Sequence, residues 1–302
     1  MSTTPSFPPG RAGPRRGERV TGQPVVLANP ASGPGGISLD ALREAIPVAD
    51  VREVEGPALA DAVKEAVAGG AAWVGVCGGD GSQRTAAIVL AGSSTPLLPV
   101  PGGTRNHFAR ALGLCDLDAA GAASRGDKTV QVDLGDVNGE VFVNNASIGF
   151  YAALVRERKR HEGHRPKRVA DVAAAWEQAR RGHRFPVDVD GTHHRAWLVF
   201  VGNGCYGSSL FDLAERESLD DGKLDLRVVT AERRFARVRV VAALLTGRLG
   251  RSPVLEQVVD SQVDVAVLDV AAVDVALDGE VTRMSTPLCF RSRAGALRVL
   301  VP

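Results

Sequence analysis

The stretch Trp73-Val74-Gly75-Val76-Cys77-Gly78-Gly79-Asp80-Gly81-Ser82 decides how this chain is read. A short apolar run ends in a glycine-rich turn that holds one carboxylate, Asp80. A second segment repeats the arrangement: Pro96-Leu97-Leu98-Pro99-Val100 runs into Pro101-Gly102-Gly103-Thr104-Arg105-Asn106. Glycine permits a sharp turn and lets a ligand approach bare N–H groups. A strand that ends in such a turn and leads into a helix is a seat for phosphate. Backbone donors beside a single acid point to a nucleotide with a metal ion, and so to phosphoryl transfer. Neither turn is a Walker A loop, because no Lys-Ser or Lys-Thr follows, and neither has GxGxxG spacing. The competing reading of Asp80 is an acidic turn residue that caps a helix starting near Thr85.

Outward from these turns, residues 25–114 alternate strand and helix. Val25-Val26-Leu27-Ala28 reads as a buried strand, and Leu59, Val63 and Val67, four apart, mark one face of a helix. Further helices are expected over 85–91 and 108–112. That order predicts a parallel sheet with helices on its faces, with ligands at the carboxyl ends of the strands, where both glycine turns lie. Asn29-Pro30-Ala31-Ser32-Gly33 follows the first strand and offers Asn29 and Ser32 to adenine or phosphate; plain turn chemistry is the competing reading. After about Lys128 the pattern changes to short β-rich segments at 130–134, 141–143, 186–189, 196–201, 224–229, 263–267, 273–277 and 296–301. Asn138-Gly139, Asp190-Gly191, Asp221-Gly222 and Asp278-Gly279 supply turns. Two helical stretches, 169–181 and 236–246, interrupt. The expected fold class is therefore α/β, with an N-terminal parallel α/β nucleotide-binding domain (23–128) and a C-terminal antiparallel β-sandwich-like domain (129–302). Residues 1–22 read as a disordered tail, and the C-terminal segment is expected to pack back on the first domain.

Bulk properties narrow the classes. A chain of 302 residues suits two domains, and its net charge of +1 gives no case for nucleic acid. The four cysteines show no CxxC pair, and His161, His164, His193 and His194 have no accompanying ligand cluster, so neither disulfides nor zinc are expected. No apolar run approaches the roughly 18 residues that span a bilayer. The expected location is cytoplasmic. Peripheral membrane attachment rests on the basic run Arg156, Arg158, Lys159, Arg160, Arg165, Lys167 and Arg168, for which a solvated face is the favoured reading. A homodimer is compatible with the sequence.

Taken in order, Asn-Pro-x-Ser-Gly (29–33), Gly-Gly-Asp-Gly-Ser (78–82) and Pro-x-Gly-Thr-x-Asn (101–106) resemble the catalytic domain of the diacylglycerol kinase family, in its soluble bacterial lipid-kinase branch. The likeness continues through Val132-Asp133-Leu134-Gly135, Phe142-Val143-Asn144-Asn145-Ala146-Ser147-Ile148-Gly149, Val201-Gly202-Asn203-Gly204, Leu219-Asp220-Asp221-Gly222-Lys223 and Leu277-Asp278-Gly279-Glu280. The resemblance implies ATP and Mg²⁺ as cofactors and a lipid alcohol at a membrane surface as acceptor. It implies that Gly78, Gly79, Asp80, Gly81, Ser82, Gln83 and Arg84, with Gly103, Thr104 and Asn106, hold the ATP phosphates. It implies that Asp80 serves the metal network and that Glu280 is the base taking the acceptor proton. It further implies that Asp221 binds a structural Mg²⁺, with carbonyls near Ser218 and Lys223. The chain departs from the family at His107, where Asp is common, and at Ser82-Gln83-Arg84, where Thr-x-Asn is common. Arg84 reads as an added phosphate donor. Kinases of soluble acceptors, similar to NAD kinases or phosphofructokinases, and a non-catalytic nucleotide- or lipid-binding regulator are the alternatives.

Overall fold

A computed structural model describes residues 22–29, 37–149, 184–207, 216, 218–230 and 255–302. Ser32, the basic segment 156–168, His161, His164, the helical stretches 169–181 and 236–246 and nearly all of the N-terminal tail lie outside the described residues.

Strands β1 (Val25–Ala28), β2 (Asp50–Glu53), β3 (Val74–Gly78) and β4 (Leu97–Pro101) pair in the order β2-β1-β3-β4, all parallel. Parallel neighbours need crossovers. These carry α1 (Leu39–Ala45), α2 (Leu59–Ala68) and α3 (Asp80–Leu90), while α4 (His107–Ala111) and α5 (Leu117–Arg125) follow β4. β1, β3 and β4 are buried along their whole length, as strands covered on both faces must be. Alternation sends Val25, Leu27, Val74 and Val76 into one core with Leu59, Val63 and Leu90. It sends Val26, Ala28, Leu98 and Val100 into the other with Leu42, Ile46, Leu114 and Ala120. Ser38 Oγ caps α1 by accepting from Ala41 N (3.2 Å), and Asp116 Oδ1 caps α5 by accepting from Ala119 N (2.8 Å).

Helix α3 begins earlier than its sequence suggests. It starts at Asp80 rather than near Thr85, with Gly79 as an extended N-cap (φ −80°, ψ −177°). Gly81 and Ser82 are weak helix formers. Buried Gln83, Ala86, Ala87 and Leu90 pack the helix against the sheet and carry it back through the glycine turn. The turn is therefore also the first turn of a helix.

The rest is antiparallel: β5 (Thr129–Val137), β6 (Glu140–Phe142), β7 (Asn145–Gly149), β8 (Phe185–Val189), β9 (Thr192–Asn203), β10 (Leu224–Thr230), β11 (Leu255–Asp260), β12 (Gln262–Val267), β13 (Ala272–Leu277), β14 (Glu280–Ser285) and β15 (Leu288–Leu300). Asn138-Gly139, Asp190-Gly191 and Asp278-Gly279 each place both residues at positive φ, as two-residue hairpins require. They join β5 to β6, β8 to β9 and β13 to β14. Val199, Val201, Leu226 and Val275 meet Val263, Val265, Leu288 and Phe290 in a sandwich-like core. β15 ties the halves together. It pairs antiparallel with β12 and β5, bulges between Arg293 and Leu297, and reaches β4 in parallel at Val299 beside Leu97. Among the described residues no helix is long and apolar enough to cross a membrane.

Candidate active site

Parallel strands gather their carboxyl ends on one edge of the sheet. Asn29 leaves β1 there, its N–H donating to Cys77 O (3.1 Å). The turns after β3 and β4 touch: a Cβ on Gly103 would lie 2.4 Å from Gly79 Cα, and one on Gly102 would lie 2.9 Å from Cys77 Sγ. Only glycine fits between them. Asn106, at φ 51°, closes the second turn on itself. Its Oδ1 accepts from Gly103 N (2.8 Å) and its Nδ2 donates to Gly103 O (2.9 Å). Thr104 stands exposed at the tip.

Gln83 corrects an expectation. Its side chain is buried away from the turn, and Nε2 donates to Val76 O (2.7 Å) and Val100 O (3.2 Å). Its own N–H is taken by Gly79 O (3.1 Å). Gln83 therefore fastens the ends of β3 and β4 beneath the turn and has no donor to offer a phosphate.

Asp80 faces the second half of the molecule. Its Oδ1 accepts from Phe108 N (3.1 Å) and from Asn144 Nδ2 (3.4 Å). Both donors use Oδ1, which leaves Oδ2 for a cation or a water. Asn144 is itself held: its Oδ1 accepts from Arg216 Nη2 (2.7 Å) and its carbonyl from the Tyr206 hydroxyl (2.8 Å). Arg216 also donates to Val143 O (2.9 Å) and lies over the Tyr206 ring, 5.8 Å from its centroid.

The tip of the β13–β14 hairpin meets the same edge. Asp278 is buried and accepts from three backbone N–H groups, those of Val143 (2.8 Å), Asn144 (2.7 Å) and Asn145 (3.1 Å). Burial pushes its carboxyl above the usual carboxylate range, with these donors and Arg84 acting against the shift. The anchored tip delivers Glu280 to the glycine turn, where a Cβ on Gly81 would stand 3.8 Å from Glu280 Oε1. Residues 200 positions apart in the chain, Asp80 and Glu280, thus border one cleft. Arg84, one helical turn after Asp80, also departs from its expected role. Its Nε donates to Val141 O (2.8 Å) and its Nη1 to Glu280 Oε2 (3.3 Å), so its fork is turned to the second half of the molecule.

The turn 218–223 is tied to β5 through Gly222 N, which donates to Asp133 Oδ2 (2.6 Å). Asp221 Oδ1 accepts from Lys223 N (2.9 Å), Ser218 Oγ donates to Asp220 Oδ1 (2.7 Å), and Lys223 O accepts from Gly204 N (2.9 Å). Burial and the Asp221 carboxylate push the neighbouring Cys205 thiol to about 11. Among the described residues no three His, Cys, Asp or Glu side chains gather as a metal site. Carboxylate and carbonyl oxygens lie here and at Asp80, donors that suit a hard cation, while the Cys205 thiol beside Asp221 is pushed away from its thiolate form. Asn144, Asp278 and Arg216 were not legible as site residues, because each acts through hydrogen bonds to chain segments far away in sequence.

Comparison with known proteins fits this geometry. Residues 23–137 match the diacylglycerol kinase catalytic domain, and residues 148–301 match the YegS C-terminal NAD kinase beta sandwich-like domain. A Pseudomonas fluorescens Pf-5 protein named "Probable lipid kinase YegS-like" is 31% identical, covering 80% of this chain and 81% of its own. A Pseudomonas aeruginosa PAO1 protein of the same name is 30% identical over 80% of each chain. The crystal structure of a diacylglycerol kinase from Bacillus anthracis str. Sterne superposes with a TM-score of 0.65 at 21% identity, covering 93% of this chain and 97% of the other, which is a likeness of fold. With residues 23–137 and 148–301 matched by these two domains and relatives at 30–31% identity over four fifths of the chain, the chain belongs to the YegS-like lipid kinases of the diacylglycerol kinase catalytic-domain family.

Proposed function

We propose that the protein transfers the γ-phosphate of ATP to the hydroxyl of a lipid, with diacylglycerol or a related lipid alcohol as acceptor. The observation that carries this reading is Glu280 Oε1 lying over Gly81, beside Asp80, at the N-terminus of α3. The N–H groups at the start of α3, Gly79 to Ser82, and that of Thr104 would cradle the triphosphate, favoured by the positive end of the α3 dipole, while Gly103 N is already closed on Asn106 Oδ1. Asn29 lies at the same edge and is offered to the adenine or to a phosphate. A bound Mg²⁺, held by Asp80, would neutralise charge on the transferred group. Glu280 accepts the proton of the lipid hydroxyl as it attacks; a positioned carboxylate base of this kind contributes about 10²–10⁴-fold. Asp221, with the Ser218 and Lys223 carbonyls, is the proposed seat of a second, structural Mg²⁺.

The test is Glu280→Gln, assayed for transfer and, separately, for ATP binding by calorimetry. The reading expects turnover to fall by at least about 10²-fold with ATP affinity kept. Undiminished turnover in that variant contradicts it.

A further inference from the structure

The residue that distinguishes this cleft is Arg84. Four acceptors enclose its side chain, which is only 12% exposed: Val141 O at 2.8 Å, Glu280 Oε2 at 3.3 Å, Asp278 Oδ2 at 3.7 Å and Glu140 Oε2 at 3.8 Å. All four belong to the β-rich half, whereas Arg84 rides on α3 of the parallel half. Asp80 and Arg84 are four residues apart on that helix and so share a face. A planar guanidinium with five fixed donors can serve several carboxylates at once.

The partner that stands to gain is Glu280. Its side chain is 56% exposed, so without a partner it would sample many rotamers. Arg84 engages Oε2, while Oε1 is the oxygen that lies over Gly81. The two oxygens therefore divide their work, one anchored and one turned to the glycine turn. Swinging the fork to a phosphate would give up the hydrogen bonds to Val141 O and Glu280 Oε2 and draw the guanidinium away from the buried Asp278 carboxyl.

The geometry points to Arg84 as the positioning residue of the general base: it fixes Glu280 over the glycine turn from across the cleft and does not bind the nucleotide. This inference rests on the reading of Glu280 as the base. The brace is built from α3, the helix that bears Asp80.

The experiment is a double-mutant cycle of Arg84→Gln and Glu280→Gln, with Arg84→Lys beside them. Phosphate transfer to diacylglycerol in mixed micelles gives kcat and the KM for ATP, and calorimetry gives ATP affinity. Arg84→Gln is expected to lower kcat by about 10- to 100-fold, the scale of a misplaced reacting group, with KM for ATP within about twofold. In the Glu280→Gln background the same change should cost less than about threefold, because the group it positions is gone. Arg84→Lys, which keeps the charge but not the fork, should recover part of the loss and confirm that the fold is intact. A KM for ATP raised about tenfold with kcat kept would make Arg84 a phosphate donor and overturn the inference. Losses that multiply in the double variant would also overturn it. If Glu280→Gln alone keeps full turnover, the base assignment itself falls, a result that the Arg84 variants alone cannot produce.

Discussion

Gly103 shows how tightly the cleft floor is drawn. A methyl group there would sit 2.4 Å from Gly79 Cα and 3.0 Å from Asn106 Oδ1, and the first of these is backbone that cannot swing aside. Gly103→Ala should therefore push the two glycine turns apart and weaken ATP binding by about tenfold or more, read by calorimetry, since overpacking costs about 1–3 kcal/mol. Gln83→Leu tests a different layer. It removes the donor to Val76 O and Val100 O and should lower stability by about 1–3 kcal/mol in urea denaturation. At this scale the sequence was legible where chemistry is local. Asp80 and the glycines announce themselves by spacing. Gln83 stood in the same motif, yet its amide points into the core, and nothing in a linear pattern gives a side chain's direction. Asn144 was invisible as an Asp80 partner because the two lie 64 residues apart.

Among the elements, the hairpins were the most readable. Asn-Gly and Asp-Gly pairs specify positive φ at both turn positions, and three of them became tight turns joining strands. β15 was read only in its last third, since Arg291, Ser292, Arg293 and Gly295 break the apolar pattern where the strand bulges. The start of α3 was misplaced because propensity disfavours Gly81 and Ser82 while tertiary packing overrides it. The β13–β14 hairpin carries its own prediction. Asp278 has a raised carboxyl pKa in the fold, so its contribution to stability is fullest below the unfolded value of 3.8 and is lost as pH rises through the folded value. Asp278→Asn removes that dependence. The stability difference, parent minus variant, should fall as pH rises above about 4 in denaturation titrations; a flat difference would contradict the shift. The variant should also be less stable throughout, because its NH₂ faces backbone donors.

Across the whole molecule, one buried carboxylate locks the architecture. Asp133 on β5 accepts from Gly222 N (2.6 Å) and Gly295 N (2.7 Å), joining the 218–223 turn to the bulge of β15. Asp133→Ala leaves two part-buried donors without their acceptor and should cost about 1–3 kcal/mol, seen as a lowered urea midpoint with an unchanged m-value. The division into a parallel half and a β-rich half was legible from periodicity, because buried parallel strands and alternating hairpin strands carry different patterns. The return of the C-terminal segment to the first domain was expected and appears as β15 beside β4, but the side-chain contacts between the halves were not legible, since bonds such as Arg84 to Val141 couple distant residues. The meeting of the halves brings Glu280 to the glycine turn that holds Asp80, the pair proposed to carry phosphate transfer to a lipid. The measurement that tests it most directly is transfer of label from γ-labelled ATP, with Mg²⁺, to a panel of diacylglycerol, monoacylglycerol, ceramide, sphingoid base and phosphatidylglycerol in mixed micelles, with Asp80→Asn and Glu280→Gln run in parallel. The parent is expected to yield a labelled lipid that disappears in both variants; no labelled lipid from a parent that binds ATP tightly would contradict lipid phosphorylation at this site.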